Sequence, residues 1–259
     1  MLWRVAVRSA LSDAEPFRAQ LLELVPEGFE EVERDGAIEL VCYLDDATCA
    51  VVLRHYPDAA TTAAAEGWEE AWRVFHRPVV AGGLWLGPPW EEPPDLHSAV
   101  VIEPARAFGT GAHPTTRLCV ELLAELPSRG SLLDIGCGSG VLAIAGARLG
   151  YGPVRAIDVD PVAVETARAN AAANGVAIDV STLDALTDAL PAADVAVANV
   201  LRRPVEALLR RLTSTFVVTS GYLATDDLAT GGWDRLASRE LDGWAADLLA
   251  NGGIAGRSV

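Results

Sequence analysis

The 259-residue sequence contains no lysine: its 20 basic residues are all arginine, set against 36 Asp and Glu for a net charge of -16. An acidic surface repels phosphate backbones, which argues against nucleic-acid binding and for the attraction of a basic protein or peptide. Cysteine is scarce as well. Cys42, Cys49, Cys119 and Cys137 show no CxxC spacing and no paired histidines, so they read as reduced, buried, small apolar residues and no metal site is expected. Runs of about 18 apolar residues are missing, because charges or prolines break each hydrophobic stretch, and no basic-then-apolar leader opens the sequence. A cytoplasmic protein without membrane association is the expectation. What the chain does have is apolar bulk: 51% of its residues are hydrophobic and 22% charged, enough to bury a sizeable core in one large or two unequal domains.

Residues 1–56 read as a small α+β domain. "LWRVAVR" alternates as a strand, and Ser12 with Glu15 three places on forms a capping box at the head of a helix. "FEEVER", the turn Asp35-Gly36 and "AIELVCYL" read as a hairpin, and a helix from about Asp46 to Tyr56 closes a two-layer β-α-β-β-α module with one sheet face left for a partner. Residues 57–95 change in composition. An alanine-rich helical stretch with Trp68 and Trp72 gives way to "RPVVAGGLWLGPPWEEPPD", whose prolines and glycines mark a linker. From 96 to 259 strands and helices alternate: the strand stretches "AVVIEP", "SLLDI", "PVRAIDV", "ADVAVANV" and "STFVVTS" are interleaved with helical ones. Continuously apolar strands in such alternation imply an α/β, doubly wound, mostly parallel sheet covered on both faces, with ligands beyond the carboxyl ends of the strands.

"DIGCGSG", Asp134 to Gly140, sits at one such strand-to-helix turn. Gly136, Gly138 and Gly140 let a backbone approach a ligand closely, and the helix that follows offers free N–H groups. Asp158 ends the next strand, 22 positions after Gly136, where a carboxylate can accept two hydrogen bonds from ribose hydroxyls. The spacing G-x-G-x-G lacks the third glycine position of the dinucleotide fingerprint, which points away from a dehydrogenase while leaving other adenosine ligands open.

The stretch "LLDIGCGSGVLAIAGARLG", followed by "AIDVDPVAVETARANAAANGV", resembles the first two motifs of the class I S-adenosylmethionine-dependent methyltransferases. "EPARAFGTGAHPTTRLCVELL" upstream, "ADVAVANVL" downstream and "RPVVAGGLWLGPPW" narrow the resemblance to the PrmA family of bacterial ribosomal protein methyltransferases. That resemblance implies a Rossmann-like methyltransferase sheet carrying S-adenosyl-L-methionine. It also implies an enzyme that methylates amino groups, lysine side chain or N-terminal amine, of the eleventh large-subunit ribosomal protein. By the same resemblance Thr116, Gly136, Gly138, Asp158 and Asn199 hold the methyl donor, and Asn199 with Phe108 lines the transfer site. His113 is not assigned as a base. Asn199 is followed by Val200-Leu201-Arg202, without the aromatic that would stack a flipped base, so a nucleobase substrate is not expected. The alternatives are a small-molecule N- or O-methyltransferase and a catalytically silent binder of the ribosomal protein. A monomer is expected, and a protein without lysine has no internal lysine of its own to modify.

Overall fold

The computed structural model describes residues 2–25, 29–34, 36–64, 77–103 and 111–252, and the chain divides into two compact units, Met1–Phe75 and His76–Val259. The first unit runs β1 (Trp3–Ala10), α1 (Ala14–Leu24), β2 (Glu30–Arg34), β3 (Ala37–Leu44), α2 (Asp46–His55) and β4 (Ala60–Ala63). Its strands form one antiparallel sheet in the order β2-β3-β1-β4, so β4 completes a β-α-β-β-α-β pattern of ferredoxin-like type. The two-residue period of the strands sends Val5, Val7, Ile38, Leu40 and Cys42 into a core with Leu21 and Val52 of the helices. Arg4 and Arg8 stand on the other face, paired with Glu39 at 3.4 and 3.3 Å. α1 starts behind Asp13 rather than Ser12 and makes no side-chain cap bond, whereas Asp45 caps α2 by accepting from Thr48 N–H at 2.7 Å.

The second unit opens with a three-stranded sheet of β5 (Val79–Ala81), β6 (Leu84–Gly87) and β7 (Ala99–Val101). The stretch 57–95 is therefore shared out, β4 joining the first sheet and β5 and β6 the second unit; Trp68 and Trp72 lie outside the described residues. There follow α3 (Pro114–Glu125), β8 (Leu132–Ile135), α4 (Val141–Arg148), β9 (Val154–Asp158), α5 (Pro161–Ala173) and β10 (Asp179–Thr182). β11 (Val195–Asn199), α6 (Arg202–Leu209), β12 (Phe216–Leu223), β13 (Trp233–Leu241) and β14 (Trp244–Asn251) complete the chain. β8 to β14 make one seven-stranded sheet in the order β10-β9-β8-β11-β12-β14-β13, with the first five strands parallel.

Alternate residues of the central strands feed two separate cores, which is why those strands read as unbroken apolar runs. Leu132, Val195, Val197 and Val218 pack with Leu118, Leu122, Ile144 and Val164 on one face. Leu133, Ala196, Ala198 and Val217 pack with Val205, Leu208 and Trp233 on the other. The last two strands break the parallel pattern. β13 and β14 form a hairpin closed by Asp242 (φ 49°) and Gly243 (φ 79°), successive positive values that match the right-handed twist of the strands. β14 then pairs antiparallel with β12, so a parallel sheet ends in an antiparallel edge. Sequence order runs outward in opposite directions from the β8–β11 boundary, and the crevice beyond the carboxyl ends of those two strands is where such folds take ligands.

Candidate functional site

Beyond β8 the chain turns through the glycine loop. The N–H groups of Gly136 and Cys137 both donate to the Ile157 carbonyl, at 2.9 and 3.0 Å, stitching the loop to the end of β9. Gly136 has φ 70°, and a methyl group there would lie 2.5 Å from Val200 Cγ1, so both the turn and its neighbour require glycine. Asp158 closes the loop from the other side: one carboxylate oxygen accepts from Gly138 N–H at 2.9 Å and the other from Asp160 N–H at 3.0 Å. Each oxygen keeps a further lone pair. Asp134, which begins the loop, is buried and accepts from Ala143 N–H at 3.0 Å; burial, reinforced by the charge of Asp158, pushes its carboxyl up to about 7.

Asn199 ends β11 at the same edge. Its Nδ2 donates to Thr115 Oγ1 at 3.1 Å and to Thr116 Oγ1 at 3.4 Å, so two residues singled out 83 positions apart, Thr116 and Asn199, meet in space. Both threonines are buried in the first turn of α3. His113 caps that helix, its Nδ1 lying 2.8 Å from Thr115 Oγ1 and accepting from Thr115 N–H at 3.4 Å. The ring packs edge-on against Trp244, with centroids 5.0 Å apart, and burial pushes its pKa down to about 4. His113 thus serves as the cap of α3. Phe108 lies outside the described residues.

Two contributors escaped the sequence reading. Thr115 is the nearer partner of Asn199, yet nothing separates it from Thr116 in one dimension. Gly221, with φ 97°, sits at a bulge in β12, and a methyl group there would overlap the Val200 carbonyl. A glycine inside an apolar strand signals such a close backbone approach. Val200 thus lies close to both Gly136, after β8, and Gly221, at the bulge of β12, the strands that flank β11. No group of three or more His, Cys, Asp or Glu that could hold a metal ion occurs among the described residues, and no helix among them is long and apolar enough to cross a membrane.

A doubly wound sheet with a glycine loop after its first central strand, an acidic residue ending the next and an asparagine ending β11 defines a Rossmann-like methyltransferase fold. The family model described as "Ribosomal protein L11 methyltransferase (PrmA)" matches residues 33–250, and the chain belongs to that family. A relative named ribosomal protein L11 methyltransferase from Symbiobacterium thermophilum is 41% identical over 200 residues, covering 71% of this chain and 65% of its own length. Another of the same name, from Dechloromonas aromatica, is 43% identical over 181 residues, covering 68% of this chain and 60% of its own length. This chain therefore spans 65% and 60% of those two relatives. The crystal structure of ribosomal protein L11 methylase from Lactobacillus delbrueckii subsp. bulgaricus superposes with a TM-score of 0.59 at 27% identity, covering 65% of this chain and 94% of that one.

Proposed function

We propose that the chain is an S-adenosyl-L-methionine-dependent N-methyltransferase that acts on amino groups of ribosomal protein L11, the eleventh large-subunit protein. The observation that carries this reading is Asn199, held by Thr115 and Thr116 at the carboxyl end of β11, beside the glycine loop and Asp158. The residues present fit the donor. Gly136 and Gly138 offer a loop that no side chain obstructs, Asp158 has lone pairs for ribose hydroxyls, and the acidic edge suits a cationic ligand. When bound, S-adenosyl-L-methionine supplies a methyl on cationic sulfur, which an amine lone pair takes in line while the C–S electron pair stays on sulfur and a proton leaves to solvent.

The protein's part is alignment and exclusion of water rather than covalent catalysis. Asn199 orients the amine by accepting one of its N–H bonds, and Thr116 supports Asn199 from the buried side. The amine must be neutral to react. An α-amine with a pKa of about 8 meets that condition readily, whereas a lysine near 10.4 must be desolvated. The first unit recognises the protein substrate, whose basic character suits a chain of net charge -16. The second unit carries the donor and the chemistry. The protein works as a cytoplasmic monomer without contacting nucleic acid.

The test is transfer of labelled methyl from S-adenosylmethionine into ribosomal protein extract from cells lacking this activity, resolved on a gel. One labelled band at the size of the eleventh large-subunit protein is expected. Donor binding without any labelled protein would overturn the substrate assignment and leave a small molecule or a binding-only role.

A further inference from the structure

We infer that Asn170 is a positioning residue for donor binding: its side-chain amide ties the glycine loop at Ser139 to the backbone at Glu103. The role rests on the proposed reading of that loop as the donor site, and the tie itself rests on hydrogen-bond geometry. β7 is paired with β6 on one side only, and side chains fill its other edge. Ile102 N–H donates to the Gly87 carbonyl at 2.9 Å, so Ala99, Val101 and Glu103 turn their peptide groups away from β6. Arg148 Nε donates to the Ala99 carbonyl at 3.0 Å. Asn174 pairs with both groups of Val101, its Oδ1 accepting the N–H at 2.8 Å and its Nδ2 donating to the carbonyl at 2.6 Å. Asn170 continues the row, its Oδ1 accepting from Glu103 N–H at 3.4 Å.

The match follows from two repeats. Four residues of helix rise about 6 Å and two residues of strand about 6.6 Å, so amides at i and i+4 on α5 meet every second residue of the chain beside it. Asn174 uses both ends of its amide on that edge. Asn170 uses only its oxygen there, and its Nδ2 donates at 2.9 Å to the Ser139 carbonyl within the glycine loop. A backbone N–H on one side and a carbonyl on the other allow the amide a single orientation. Asn170 and Ser139 are both buried, so water does not replace the bond when it is lost. Ala167, one turn earlier on α5, lies against Gly140, where a methyl group would sit 3.0 Å from the Ala167 Cβ. The loop therefore rests on α5 at two successive points. Ser139 directly follows Gly138, whose N–H holds the Asp158 carboxylate, so a shift of the Ser139 peptide reaches the group that faces ribose.

Asn170→Asp and Asn174→Asp make a matched test in the full-length protein, since each keeps the acceptor oxygen and replaces NH2 by oxygen. Asn170→Asp sets oxygen against the Ser139 carbonyl and should raise the calorimetric Kd for S-adenosyl-L-methionine about tenfold or more at about pH 8. Asn174→Asp, which loosens the edge of β7, should lower Tm and leave that Kd within about twofold of wild type. At about pH 5.5, against wild type at the same pH, most of the Asn170→Asp loss should return, because a buried carboxyl that regains its proton again offers Ser139 a donor. An unchanged Kd in Asn170→Asp, equal losses in the two variants, or a loss that stays at low pH would overturn the proposal. If a variant fails to fold, wild-type NMR decides: saturating donor should shift the Asn170 side-chain amide and leave that of Asn174 in place, and an unmoved Asn170 amide would overturn the role. A wild-type protein that binds no donor would sink the proposed function and the positioning role with it. Wild-type binding that Asn170→Asp leaves intact would sink the positioning role alone.

Discussion

The two edges of the seven-stranded sheet are built from the same apolar strands and treat polar groups in opposite ways. At the amino edge they satisfy one another: Ser131 donates its N–H and hydroxyl to Asp194 Oδ2 at 2.8 and 2.6 Å, and Asp194 N–H returns a bond to Ser131 Oγ at 2.9 Å. A cavity of about 320 Å³ opens on that side, lined by Leu190, Pro191, Arg211, Leu212, Thr213 and Ser214, and Arg211 is already engaged by the Asp188 carbonyl at 2.5 Å. At the carboxyl edge Asn199 keeps an acceptor with no partner among the described residues, and Asp158 keeps lone pairs to spare. Space alone does not mark the site. What marks it is a set of oriented groups held by backbone that cannot relax, and parallel strands that all end on one side bring those groups together.

The contrast can be broken most forcefully at Gly221. Gly221→Ala puts a methyl group into the Val200 carbonyl at a left-handed φ, and should cost about 3 kcal/mol or more of stability while displacing Asn199. Thermal unfolding would read it; an unchanged Tm would mean the bulge relaxes and the edge is not rigid. Asn199→Ala comes next, with methyl transfer reduced about 100-fold and donor affinity nearly kept. Steady-state kinetics alongside calorimetry would show whether transfer or binding is lost.

A matched pair of aspartates sharpens the comparison. Asp158→Ala should weaken donor binding by about 1.5–3 kcal/mol, the value of charged hydrogen bonds. Asp194→Ala should cost about 1 kcal/mol of stability and leave donor affinity alone, since its partner is Ser131 rather than a ligand. Calorimetry that finds Asp194→Ala as damaging to binding as Asp158→Ala would erase the distinction between edges.

The smallest effect is one of sign. Buried Asp134 holds its proton up to about 7 when folded and releases it near 3.8 when unfolded, so between those values the native state binds more protons and stability falls as pH rises. Asp194, held below the ordinary carboxylate range by Ser131, contributes stability that is present above 3.8 and lost as pH falls through its folded value. Urea midpoints measured against pH should give Asp134→Asn and Asp194→Asn opposite slopes relative to wild type; parallel slopes would contradict the two environments.

Much of this was legible in one dimension where a residue's job is local. The glycine loop and Asp158 could be read because turn chemistry and strand ends are short-range, and the central strands because both their faces are buried. The dipeptide Asp242-Gly243 carries the same hairpin signal as Asp35-Gly36, and the structure places a hairpin turn there. β4 (Ala-Thr-Thr-Ala) and β10 (Asp-Val-Ser-Thr) were missed because, unlike the equally short β8, they carry no apolar run to set them apart from loops. Thr115 escaped for another reason. Its partner Asn199 is 84 residues away, and no spacing rule reaches across three strands and two helices.

By itself the sequence determined the period of each element, the glycine and acidic residue at successive strand ends and the acidic balance of the surface, since each follows from neighbouring residues and their solvation. Only the tertiary structure decided that Val200 lies between Gly136 and Gly221, that Thr115 rather than Thr116 is the closer support of Asn199, and that His113 is a cap. The first two are contacts between segments distant in the chain, the third depends on how the head of α3 is turned, and hydrogen-bond direction exists only once both partners have been brought within about 3 Å.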